Sequence, residues 1–163
     1  MIRRLILAIV VSVLWLGACS YGVVYKEIRQ YQDCTGYLGR AADANTVELA
    51  KTELDTAIAY IERNELTEGY TSILFKTPDE DLGFWYRNLK SSRAELNDLA
   101  EDAAPLERSN MLLKLRETLL DEDGKSTYPT GLARYPHNTF WGIVVWLGVV
   151  ILTGFWGWVW EDA

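Results

Sequence analysis

The 163-residue chain holds one histidine and two cysteines. So small a stock cannot build a Cys/His zinc site or a catalytic Cys–His pair, and neither metal nor cofactor is expected. Basic charge is short too: 16 Lys and Arg stand against 23 Asp and Glu, a formal net charge of -7. Phosphate backbones require a basic surface, so nucleic acid is excluded as a partner. No stretch alternates apolar and polar residues for long enough to suggest a sheet. The sequence also lacks a phosphate-binding glycine loop, a nucleophile elbow and a haem-attachment spacing. It has no N-x-Ser/Thr glycosylation acceptor. Enzymatic activity is therefore not expected.

Long apolar runs, by contrast, are plentiful. From Leu5 to Tyr25 no side chain is charged, and Phe140 to Trp160 is a second charge-free run. Each is about 21 residues, enough for a helix to cross the roughly 30 Å hydrocarbon core. Two such runs in so short a chain would leave no protein to bury them. The reading is an all-α membrane protein, with two transmembrane helices flanking an antiparallel helical-bundle or coiled-coil domain. Residues 1–25 form the first anchor, 26–138 the domain, and 139–163 the second span and tail. Five of the seven tryptophans follow residue 140. Trp141, Trp156, Trp158 and Trp160 fit interfacial belts, whereas Trp15 and Trp146 lie nearer mid-span.

Arg3 and Arg4 favour a cytoplasmic N-terminus, which places 26–138 outside the cytoplasm, in the periplasm if the host membrane is a bacterial inner membrane. The tail Glu161-Asp162-Ala163 returns to the N-terminal side. Lys26, Arg29 and Arg134 pull weakly the other way. An alternative stands for the first run. Leu16-Gly17-Ala18-Cys19 resembles the bacterial lipobox, in which the cysteine is lipidated and the preceding residues are removed. The run continues to Tyr25, however, so an uncleaved signal anchor is preferred. Ala18 and Gly22 form a small-xxx-small pair. Gly142, Gly148 and Gly154 recur every six residues, which does not keep to one helical face.

Heptad-like spacing dominates the middle. Val24, Ile28, Tyr31, Thr35, Leu38 and Ala42 extend the first span as a helix beyond the membrane. Asn45 with Glu48 reads as a capping box, opening a helix whose inner face is Val47, Ala50, Leu54, Ala57 and Ile61 and which ends near Asn64. An apolar patch, Ile73-Leu74-Phe75, follows in the connector. Thr77-Pro78-Asp79-Glu80 is a strong helix start. Two series run on from it: Leu82, Leu89, Leu96 and Ala103, and Trp85, Ser92, Leu99, Leu106, Leu113 and Leu120. Pro105 interrupts them, so a kink or a break into two helices is expected there, and the phase kept across the proline favours the kink. Residues 121–138 are a polar linker or ordered loop.

The candidate functional residues are few. Phe84-Trp85-Tyr86 covers most of a helix circumference, so at least one ring is expected outside the core, as an anchor for a partner protein. Trp15 and Trp146 are candidates for contacts within the membrane, and Cys19 for lipidation. Cys34 is read as a buried apolar thiol, with an intermolecular disulfide as the alternative. The carboxylates of Asp79, Glu80, Asp81, Glu101 and Asp102, and of Asp121 to Asp123, read as charge at helix ends, and His137 as a loop residue. In architecture, two spans around an extracytoplasmic bundle resemble the sensory half of bacterial chemoreceptors and histidine kinases.

The expected partners are the lipid bilayer and other membrane protein subunits or a second copy of the chain. The expected function is a small two-span accessory or structural subunit of a membrane complex. A ligand-sensing or signal-relay module acting through a partner membrane protein is the alternative.

Overall fold

The computed structural model of the chain describes residues 2–100 and 102–161. Glu101 and the last two residues of the tail lie outside them. Among the described residues the secondary structure is helical, without strands. Among the described residues extended pairing occurs at two isolated bridges, Tyr70 with Asp81 and Leu120 with Ser126.

Helix α1 (Ile2–Gln30) continues through a π-helical turn, Tyr31–Thr35, into α2 (Gly36–Ala42). Together they form one rod of 41 residues, about 60 Å long at 1.5 Å per residue. Gly36 makes the π turn possible, since a Cβ there would lie 2.7 Å from the Tyr31 carbonyl oxygen. The wide turn also changes which residues face inward. Val24, Ile28 and Tyr31, up to its first residue, are exposed, whereas Thr35, Leu38 and Ala42, from its last residue on, are buried. The expected seven-residue stepping thus fails on the N-terminal side and holds on the C-terminal side.

Helix α3 (Val47–Arg63) buries the expected face: Val47, Ala50, Leu54, Ala57 and Ile61. Its cap is one residue later than expected. Thr46 Oγ1 accepts the Leu49 amide at 3.2 Å, so Asn45 does not open a capping box. Thr77-Pro78-Asp79-Glu80 likewise yields only a 3₁₀ turn, Pro78–Glu80. Thr77 spends its hydroxyl on the Glu80 carboxylate, and α4 (Leu82–Asp98) is capped by Asp81, whose carboxylate accepts the Phe84 amide at 3.0 Å.

Of the two outcomes expected at Pro105, the chain takes the break and not the favoured kink. Helix α4 ends at Asp98, and α5 (Pro105–Leu119) starts afresh with proline in its first turn, where no amide hydrogen is required. The two series accordingly part company. Leu82, Trp85, Leu89 and Leu96 are buried, while Leu106 and Leu113 stand exposed and α5 turns Leu115 and Leu119 inward. Helices α2 to α5 enclose one core, which Leu132 from the last loop joins. That loop is ordered: Ser126 donates to the Thr35 carbonyl at 3.0 Å, and Trp85 Nε1 to that of Thr127 at 3.1 Å.

Helix α6 (Asn138–Glu161) runs antiparallel beside α1. Arg4 lies 4.3 Å from the Trp158 ring, Trp156 Nε1 donates to Ser12 Oγ at 3.2 Å, and Gly22 meets Trp141 at the far end. Ala8 and Val159 are buried in the seam. Among the described residues the rod and α6 are the two helices long and apolar enough to cross a membrane.

Candidate functional site

The three consecutive rings at the start of α4 have three different surroundings. Trp85 is in the core. Tyr86 reaches α3, where its hydroxyl donates to Glu62 Oε1 at 2.6 Å, and Lys90 Nζ lies 3.2 Å from the same oxygen. These two donors hold the Glu62 carboxyl below its ordinary value of 4.5, and the bond to Glu62 raises the Tyr86 phenol above 10.0. Phe84 alone is uncovered, at 60% exposure. A nearby fork ties the same helices, with Arg93 Nε and Nη2 donating to the two Asp55 oxygens at 2.6 and 2.7 Å. That bond raises the already high Arg93 value.

The two mid-helix tryptophans separate as well. Trp15 lies across Gly148, where a Cβ would come within 2.1 Å of its ring, so it belongs to the pair formed by α1 and α6. Trp146 faces outward, 67% exposed. Gly142, Gly148 and Gly154 meet Ile73, Trp15 and open space in turn, as their six-residue spacing requires.

Cys19 is a free, half-buried thiol on α1. Cys34 is also free but fully buried, and burial followed by the neighbouring Asp33 charge pushes its thiol up to about 12. Burial chiefly, and then the charges of Cys34 and Asp33, raises the adjacent Tyr60 phenol. Among the described residues no group of three His, Cys, Asp or Glu side chains converges as a metal site. His137 is exposed, and its carbonyl accepts the Trp141 amide at 3.0 Å.

A cavity of about 740 Å³ was not expected from the sequence. It is a groove between the connector 71–77 and the first three turns of α6. Asn138 builds its closed end. Its Nδ2 donates to the Thr71 carbonyl at 2.7 Å and the Gly131 carbonyl at 3.2 Å, fastening both connecting segments to the start of α6. Gly131 adopts a positive φ of 80°, which a side chain would resist. Thr71 Oγ1, Ser72 Oγ and Asn138 Oδ1 are buried here without a partner. The open end is apolar, lined by Val145, Trp146 and Val149 and walled by Ile73, Leu74 and Phe75. The only sequence sign of this groove was the apolar triplet in an otherwise polar connector.

A second cavity, about 550 Å³, lies against the π turn and is lined by Gln30, Tyr31 and Gly36 among others. Gln30 is buried, and its Nε2 has no partner. The chain matches no protein-family model, no curated protein and no solved structure with which it was compared.

Proposed function

We propose that the chain is a two-span membrane protein acting as an accessory subunit. Helices α1 and α6 cross the bilayer, and the domain of α2 to α5 docks on another membrane protein subunit outside the cytoplasm, without catalysis of its own. One observation carries this reading. The fold leaves Leu106 and Leu113 at 71% and 58% exposure, two turns apart on one face of α5. Single exposed leucines are ordinary, but two on one face of a helix in the watery part of the molecule form a stripe that a protein covers better than solvent. Phe84 adds an aromatic ring at the start of α4. The groups with displaced pKa values support a structural role, because Tyr86, Glu62 and Arg93 are all engaged in tying α3 to α4.

Purification of the full chain from its native membrane in mild detergent tests the reading. A co-purifying subunit, or a defined homo-oligomer, is expected. The double variant Leu106→Glu/Leu113→Glu is expected to fold normally yet lose that association by at least tenfold. A lone monomer from wild type overturns the proposal.

The π turn favours one second reading, a signal-relaying module. π turns inside α-helices cluster at functional positions. This one sits where the apolar part of the rod enters the domain, beside the unpartnered Gln30. A small polar ligand in the 550 Å³ cavity would act on the rod itself. A rise in Tm with a polar metabolite, abolished in Gln30→Leu, would favour it.

A further inference from the structure

We propose that the groove beside α6 binds a phospholipid of the surrounding bilayer, and that its outer wall, Ile73-Leu74-Phe75, dips into the same leaflet. The inference rests on the reading of α6 as a membrane span.

The wall has the wrong chemistry for water. Leu74 and Phe75 are 83% and 80% exposed, and Ile73 is half exposed beside them. Their position decides what covers them. Ile73 Cδ1 is 2.9 Å from where a Cβ of Gly142 would stand, and Gly142 already lies inside the charge-free run of α6. The triplet is thus level with apolar helix rather than with the polar domain. The groove's apolar lining ends at Val149. Phe140 to Val149 spans about 14 Å at 1.5 Å per residue, close to the roughly 15 Å that one leaflet contributes to the hydrocarbon core. One acyl chain fits that length.

The closed end supplies what a headgroup needs. Thr71 is 3% exposed, and it and Ser72 line the groove with buried hydroxyls that have no partner. Arg134 lines the same end and forms no ion pair among the described residues. Two hydroxyl donors and a guanidinium suit a phosphate diester. Glu80, the one carboxylate on the lining, accepts the Thr77 hydroxyl. A lipid so placed meets apolar wall with its chain and donors with its phosphate.

The test uses the full chain reconstituted in vesicles of phosphatidylethanolamine and phosphatidylglycerol. Spin labels go on Leu74→Cys, on Val150→Cys within α6 and on Glu48→Cys in the domain, each in a Cys19→Ala background with Cys34 buried. The label at 74 is expected to be accessible to oxygen and shielded from an aqueous nickel relaxant, as at 150 and unlike 48. Native mass spectrometry after mild extraction should show a retained phospholipid on wild type and on Gly154→Leu, whose new side chain meets open space. Gly142→Leu, which fills the groove, should retain at least fivefold less. A label at 74 open to nickel while 150 is shielded overturns the groove and leaves the span intact. A label at 150 open to nickel overturns the span reading, and the groove with it. Equal lipid retention by the two glycine variants, no retained lipid, or crosslinks from position 74 to another polypeptide each overturn the lipid assignment.

Discussion

Tyr86 and Glu62 set a pH window that belongs to single residues. Glu62 titrates below its ordinary 4.5 in the folded chain, so its contribution is present above that value and is lost as pH falls through the lowered one. Tyr86 titrates above 10.0, so its contribution holds below that value and is lost as pH rises through the raised one. Tyr86→Phe should therefore lower stability between those limits and converge on wild type at either end, as read from denaturation curves across pH. A gap that persists into acid would mean that the hydroxyl acts through something other than Glu62. Cys34 gives a second residue-scale prediction. With its thiol pushed up to about 12 and no solvent access, it should resist maleimide at pH 8 until the protein is unfolded. Rapid labelling of folded protein would reopen the disulfide reading. The sequence made Trp85 legible as core because heptad spacing is local. Tyr86 was not, because its partner sits 24 residues away on a different helix.

Helices were the most readable level, and their phases the least. The inner face of α3 followed from periodicity alone, since one uninterrupted amphipathic helix needs no tertiary information to orient it. Two arithmetic continuities did not survive. The series through Pro105 kept its spacing on paper, but a break lets α5 rotate freely, and Leu106 and Leu113 ended outside. The series through Tyr31 was rephased by a π turn that leaves no recognised spacing in the sequence, although Gly36 marks the position once the turn is known. In the apolar pair, the six-residue glycine spacing left tolerated glycines and a packing seam equally open and did not say which glycine carries the packing. Gly148 does. A Cβ there would sit 2.1 Å from the Trp15 ring, so Gly148→Ala should destabilise the pairing of α1 and α6, by about 1–3 kcal/mol as overpacked sites do. Gly154→Ala, facing open space, should not. A crosslink between Cys residues engineered at Ser12 and Trp156 reports the difference, and equal yields in both variants would show that Trp15 moves aside without cost.

The two apolar helices enter the rest of the molecule in unlike ways. Helix α1 passes into α2 without interruption, so a displacement along its axis reaches the core at Cys34 and Leu38 directly. Helix α6 has no such continuity, and Asn138 holds it to the connector and the last loop through a single side-chain amide. Removing that amide strands a carbonyl on Thr71, a residue only 3% exposed, which costs about 1–3 kcal/mol. The loss should be local, because α3 and α4 pack on the core without help from Asn138. Asn138→Ala is therefore expected to speed amide exchange across 70–76 by roughly 5- to 150-fold, the kinetic equivalent of that energy, while amides of α3 exchange as in wild type. Uniform acceleration through α3 would mean that the clamp supports the entire fold and that the connector cannot move on its own. Exchange confined to the connector would leave the domain joined firmly to α1 and only loosely to α6, so that the rod, and not the second helix, carries any mechanical coupling between the apolar helices and the polar domain.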